Sequence, residues 1–163
     1  MSKMNNLQRM GSLIYLILLF FLPAMAVAEQ LISVQDRLDG LLAEAHESCA
    51  DDGGVLELSG DEIVQYDFDN NGSTDLTILN EIEYSCSSSA SLFQGTAGAI
   101  IHLMTDKDYF SGYAREVQLV NAFNNKQIIL LGLHGSSCGE AGNIICVDAL
   151  TLHESRIITS KGE

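Results

Sequence analysis

The sequence predicts an α+β domain in which an N-terminal helix packs on a mostly antiparallel β-sheet or β-sandwich of about seven short strands, with two disulfides. Three observations support this: an apolar stripe with helical spacing over residues 33–50, alternation of apolar and polar residues after Gly54, and four cysteines. Because a helix with one apolar face must bury that face, a helix followed by strands indicates a layered arrangement.

The helix is marked by its spacing and by its ends. Ser33 and Asp36 form an S-x-x-D start signal, in which the serine side chain accepts from a backbone amide of the first turn. Gly53 and Gly54 follow the segment, where a helix is expected to stop. The apolar residues recur at threes and fours: Leu31, Val34, Leu38, Leu41, Leu42, Ala45 and Cys49. This stripe predicts that the helix lies on an apolar surface.

The strands are predicted from apolar residues spaced two apart and from short apolar runs. Residues 85–99 are rich in Ser, Ala and Gly and predict a loop, and Tyr109, Phe110 and Tyr113 cluster with Gly112 in a predicted turn. Asn124 and Asn125 predict a tight hairpin turn. The strand segments are 55–56, 64–68, 76–86, 100–104, 117–122, 128–133 and 146–153.

Residues 1–28 predict a cleaved signal peptide. Lys3 and Arg9 supply the basic head, residues 13–22 the apolar body, and Ala26 and Ala28 an A-x-A cleavage site. The alternative is a membrane anchor, but the apolar run is shorter than the roughly 20 residues that a spanning helix needs. We therefore expect a single acidic exported domain over residues 29–163, periplasmic or secreted, without stable membrane anchoring after cleavage.

The predicted mature chain is strongly acidic. The full sequence holds 8 basic and 22 acidic residues, and two of the basic ones lie in residues 1–28, so residues 29–163 carry a net charge of −16. Nucleic acids and anionic membranes bind basic surfaces, so the charge argues against both as partners. It favours cations or a basic exported protein.

The cysteines predict a disulfide framework. Cys49, Cys86, Cys138 and Cys146 are even in number and follow a predicted signal peptide, which indicates two disulfides with three possible pairings. We favour Cys49–Cys86, which would join the helix to a strand, and Cys138–Cys146, which would close a short loop. The alternative is a tetrahedral zinc site, but the spacings are not the paired type that structural zinc uses.

The sharpest motif is D-x-D-x-N-G-x-x-D over residues 67–75. Calcium takes six to eight oxygen ligands, and alternate residues of a tight turn can point their oxygens inward. Gly72 permits the turn where a side chain would obstruct it. The alternative is an acidic turn without metal. The predicted calcium ligands are Asp67, Asp69, Asn71, the Ser73 carbonyl and Asp75.

The loop resembles the strand–loop–strand calcium loops of FG-GAP and VCBS repeats and is similar to dockerin loops. It departs from an EF-hand, because position 12 is Ile78 and not a glutamate. The whole arrangement also resembles a group of small exported bacterial proteins of unknown function. The matching stretches are residues 49–58, 67–75, 84–93 and 134–146. The second resemblance implies export, disulfides and one domain, and it implies no activity.

A further cluster lies at His134, Ser136, Ser137 and Cys138, where the histidine could serve as a base and a neighbour as nucleophile. A glycine-rich disulfide loop explains the same residues, so no catalytic residue is assigned, and His102 is expected to be structural. The predicted function is a non-enzymatic binding domain with a structural calcium. The alternatives are an inhibitor of a basic exported enzyme such as lysozyme, and a hydrolase using His134.

Overall fold

The computed structural model of the protein describes residues 32–121 and 127–160, in which one α-helix precedes ten β-strands. This order confirms the α+β class. The predicted signal peptide, the stripe residue Leu31 and the predicted turn at Asn124 and Asn125 lie outside the described residues. The elements are α1 Val34–Asp51, β1 Leu56–Leu58, β2 Ile63–Tyr66, β3 Leu76–Asn80, β4 Tyr84–Cys86, β5 Ala99–Met104, β6 Tyr109–Ala114, β7 Glu116–Asn121, β8 Gln127–His134, β9 Ile145–His153 and β10 Arg156–Thr159.

Helix α1 begins at the capping signal that the sequence predicted. The Asp36 amide donates to the Ser33 hydroxyl oxygen at 3.1 Å, and this hydroxyl donates to the Asp36 carboxylate at 2.7 Å. A serine in this position contributes about 1 kcal/mol to helix stability. Leu38, Ala45 and Cys49 form the buried side of the helix, as the stripe predicted. No helix among the described residues is long and apolar enough to span a membrane.

The first sheet lies in the middle of the domain and is antiparallel throughout, in the order β2-β3-β5-β6. One face carries Leu79 and Met104, which pack with the buried side of α1. The opposite face carries Ile78 and Leu103, which pack against the second sheet. Because both faces are covered, four successive residues of β3 from Leu76 onward are buried.

The second sheet has the order β10-β9-β8-β7 and is also antiparallel. Ile129, Leu131 and Leu150 are fully buried against the first sheet. The other face of this sheet is open to solvent, and Ile145 and Val147 are exposed there. The described domain therefore has three layers: helix α1, the first sheet and the second sheet.

Both predicted disulfides are present, and the described residues contain no free cysteine. Cys49–Cys86 joins α1 to β4, which pairs with β1 in a separate two-stranded ribbon. Cys138–Cys146 closes the loop between β8 and β9. A zinc site requires thiolates, so the zinc alternative is wrong.

Ten strands are present where about seven were expected, because the predicted strand 76–86 is divided into β3 and β4, and β6 and β10 were not predicted. The predicted turn around Gly112 is wrong: Tyr109–Ala114 forms β6, which pairs with β5 over six residues. The 3-10 helix Glu81–Glu83 interrupts the predicted strand 76–86, and β10 adds to the edge of β9. Both β6 and β10 pair with the strand before them across a turn that contains no glycine.

Candidate metal centre

The acidic loop of residues 67–75 joins two paired strands. It leaves β2 after Tyr66 and enters β3 at Leu76, and these two residues face each other in the antiparallel register. The Asp75 amide donates to the Tyr66 carbonyl at 2.8 Å and closes the base of the loop. The loop is therefore of the strand–loop–strand kind, and the ends of two hydrogen-bonded strands hold its shape.

Three carboxylates of the loop converge. Asp67, Asp69 and Asp75 each place an oxygen so that the three oxygens lie within 4.8 Å of one another, and Asp69 is exposed while the other two are half-buried. Like charges at this separation repel, so a cation among them is favoured electrostatically. The three oxygens could together hold one metal ion.

Backbone amides hold the carboxylates in place. The Gly72 amide donates to Asp67 Oδ2 at 2.7 Å, and the Asn71 amide donates to Asp67 Oδ1 at 3.1 Å. Asp75 Oδ2 accepts from the Phe68 amide at 2.7 Å, which ties the end of the loop to its beginning. Each ionised carboxylate offers about four lone-pair sites, so these amide bonds leave oxygen capacity for a cation.

The same amides set the charge state of Asp67. The hydrogen bond from Gly72 is the largest influence and lowers the pKa of the Asp67 carboxyl below its usual value, and the Asn71 amide adds to this. Gly72 has φ +89°, a backbone conformation that suits glycine, and this is the position at which the sequence called for one. Asp67 therefore remains ionised in mildly acidic solution.

Asn71 and Ser73 take part in the same turn. The Asn71 side-chain oxygen accepts from the Ser73 amide at 2.8 Å, so this oxygen points toward the loop backbone. The converging oxygens belong to the three aspartates. Asn71 and the Ser73 carbonyl stay predicted ligands. They would complete the shell if a calcium ion bound.

A cleft of about 480 Å³ adjoins the loop, and no motif in the sequence indicated it. Phe68, Asp69 and Asp75 form one side, and the β9–β10 turn with His153 and Glu154 forms the other. Glu154 and the following Ser155 both have positive φ, 52° and 62°, and neither is glycine. The two-residue turn therefore carried no glycine signal in the sequence.

Of the predicted cluster around His134, the structure places Ser136 in contact with the histidine ring. His134 Nδ1 lies 2.7 Å from the Ser136 hydroxyl and also accepts from the Ser136 amide at 3.3 Å, so the ring caps the short 3-10 helix Gly135–Cys138. Cys138 is in a disulfide and holds no thiolate that could attack a substrate. His46 and His153 are exposed.

No protein-family model, curated protein or solved structure matches this chain. The functional conclusion therefore depends on the chemistry of its own residues.

Proposed function

We propose that this protein is an extracytoplasmic, non-enzymatic binding domain in which the loop of residues 67–75 holds one structural calcium ion. The observation that carries the proposal is the convergence of the Asp67, Asp69 and Asp75 oxygens within 4.8 Å on a closed hairpin. Calcium suits this loop because it accepts flexible shells of carboxylate and carbonyl oxygens. Magnesium suits it less, because magnesium demands a strict octahedron and keeps its waters.

The role of the ion would be structural. The loop joins β2 to β3, and β3 is buried on both faces. An ion among the three carboxylates would remove their repulsion and hold the two strand ends together. Its expected affinity is that of extracellular calcium modules, with a Kd of about 10⁻⁴–10⁻³ M.

The compartment follows from the disulfides. Two disulfides indicate an oxidising, extracellular-type environment. Together with the predicted signal peptide of residues 1–28, they support a periplasmic or secreted protein. Such compartments are also where calcium reaches the millimolar range that a weak site needs.

A hydrolase using His134 is a second candidate, favoured by the 2.7 Å contact between His134 Nδ1 and the Ser136 hydroxyl. The same nitrogen also accepts from the Ser136 backbone amide, which is a capping geometry. No side chain of the described residues hydrogen-bonds to the other ring nitrogen and orients the ring, as a catalytic histidine usually requires. A capping role therefore explains these residues better.

Thermal unfolding with and without calcium tests the proposal. Calcium that binds only the folded form adds about 1 kcal/mol of stability at five times its Kd, so we expect a rise in Tm of about 3–5 °C. Asp69→Asn keeps a hydrogen-bond acceptor but removes a charge, and it should abolish the rise. Asp61→Ala is the control, since Asp61 is exposed and outside the loop. A wild-type Tm that does not move with calcium would mean that the loop is only an acidic turn.

A further inference from the structure

A second cleft, of about 630 Å³, opens on the helix side of the first sheet. It lies between α1, the 3-10 helix Glu81–Glu83, the loop of residues 91–98 and strands β5 and β6. Helix α1 packs over Leu79 and Met104 of the sheet and leaves Tyr113 of β6 59% exposed. The cleft is therefore the part of the sheet face that the helix does not cover.

Glu81 lies in the wall of this cleft and is fixed by a buried histidine. Its Oε1 lies 2.9 Å from His102 Nε2, and the two side chains are only 15% and 5% exposed. The other ring nitrogen of His102 lies 2.8 Å from the Tyr109 hydroxyl. These two contacts fix the orientation of the His102 ring, with Nε2 facing the Glu81 carboxylate. Glu81 is thus held in one orientation by the His102 ring.

Glu81 has no permanently charged partner within the described part of the chain. Its contact with His102 is the sole salt-bridge contact there, and no lysine or arginine pairs with it. Burial and then the negative charge of Glu81 raise the pKa of the neighbouring Tyr84 hydroxyl. An incoming cation would therefore meet a fixed carboxylate that no lysine or arginine occupies.

The other walls of the cleft combine apolar and acidic side chains with the neutral polar residues Ser48, Ser91, Gln94 and Thr96. Leu92 and Tyr113 are exposed apolar side chains at its rim, and Phe93 and Ile100 also contribute. Glu44 on α1 supplies a second carboxylate. A cation that carries an apolar stem matches this combination, because the stem can pack on the apolar wall while the head meets a carboxylate or an aromatic face.

We infer that the cleft between α1 and β6 is a binding site for an ammonium or guanidinium group on an aliphatic stem, with Glu81 and Glu44 as its charged contacts and Tyr113 as its aromatic wall. The inference rests on the proposed function in one respect, namely that the domain acts by binding. The same chemistry occurs in free alkylamines and in lysine or arginine side chains of a basic protein, so the test has an arm for each.

In the first arm, agmatine and 1,5-diaminopentane are each titrated into the full chain. Binding is measured by NMR chemical shifts and by calorimetry. We expect saturable binding, and 1-pentanol, which has the stem without the charge, should not bind. Glu81→Gln and Glu44→Gln should each weaken binding about tenfold or more, as expected for the loss of a charge-assisted contact. The second arm repeats the titration with lysozyme as a basic protein probe.

Matched controls lie on the same elements. Glu83→Gln is in the 3-10 helix of Glu81 and Glu47→Gln is in α1, and neither residue lines the cleft. Because Glu81→Gln alters the His102 contact, Tyr113→Ala provides a second variant that leaves that contact intact. Loss of affinity in the controls as large as in the cleft variants would overturn the inference, and so would absence of saturable binding in both arms. The calcium-dependent Tm is measured on the same samples, so failure here is distinguishable from failure of the calcium proposal.

Discussion

Cys49 and Cys86 join the last turns of α1 to the end of β4, with their Cα atoms 5.7 Å apart and both side chains buried. The bond closes 37 residues of chain, whereas Cys138–Cys146 closes only 8. The first disulfide connects the helix layer to the ribbon of β1 and β4, and the second stays within one loop. The two bonds therefore differ in how much of the unfolded chain they restrict.

The longer loop should give the larger loss of stability. Loop-closure entropy predicts that removing Cys49–Cys86 costs about 4 kcal/mol and that removing Cys138–Cys146 costs about 2.5 kcal/mol. Urea unfolding of the paired Cys→Ala variants measures both values. The reverse order would mean that strain or residual structure, and not chain entropy, sets the contribution of these bonds.

Acid should destabilise the protein partly through Asp67. Its folded-state pKa is lowered below the usual value, chiefly by the Gly72 amide, so its contribution is present above the unfolded pKa. That contribution is lost as the pH falls through the folded pKa. We therefore expect the stability difference between wild type and Asp67→Asn to shrink below about pH 4.

Thermal melts of both proteins from pH 7 to pH 2, without calcium, check this dependence. Asp61→Asn serves as the comparison, since Asp61 is exposed and lies outside the loop of residues 67–75. A constant difference between wild type and Asp67→Asn across the whole range would contradict the assigned role of the Asp67 charge.

Gly98 allows the loop of residues 91–98 to approach β6. Its φ is +101°, and a Cβ at this position would collide with the Ala114 carbonyl. Gly98→Ala should therefore cost at least about 1–3 kcal/mol from backbone strain alone. Gly40→Ala is a control of opposite sign: Gly40 lies in α1 with open space around it, so alanine should stabilise by about 1 kcal/mol. Chemical unfolding measures the free energy of unfolding of both variants. A Gly98→Ala variant as stable as the wild type would contradict the prediction.

The pair His134 and Ser136 should act as a cap and not as a catalytic dyad. Ser136→Ala removes the hydroxyl that contacts His134 but keeps the amide that the histidine caps. We expect no turnover of p-nitrophenyl esters above background in the wild type or in this variant. Turnover by the wild type that Ser136→Ala abolishes would instead support the hydrolase.

The parts of the fold that depend on local spacing were predictable. Ser33, Asp36 and the apolar stripe define α1 within a few turns of chain. Cys49 lies at the end of the apolar face of the helix, and Cys86 lies at the end of the apolar face of a strand. Strand β6 was not predictable, because its Ser111 and Gly112 lack strand character and it forms only by pairing with β5. Strand β10 depends on a turn at Glu154 and Ser155, where no glycine marks the positive φ.

The same distinction applies to the sites. The aspartates of residues 67–75 lie close in sequence, so their spacing alone indicated a cation site. The cleft wall depends on Glu81 meeting His102, 21 residues away, and on α1 stopping short of Tyr113. Such contacts are made by tertiary packing, so no motif in the sequence records them.

The calcium loop and the cleft should be energetically independent. Asp75 immediately precedes β3 and Glu81 immediately follows it, so the six residue steps between them separate the two sites by roughly 20 Å. Sites this far apart that share no partner usually add within about 0.5 kcal/mol. We therefore expect Glu81→Gln to leave the calcium-induced rise in Tm unchanged, and Asp69→Asn to leave agmatine affinity unchanged. The double variant should lose both responses by the sum of the single effects. A calcium response that changes in Glu81→Gln, with Glu83→Gln unaffected, would show that β3 transmits a structural change between its two ends.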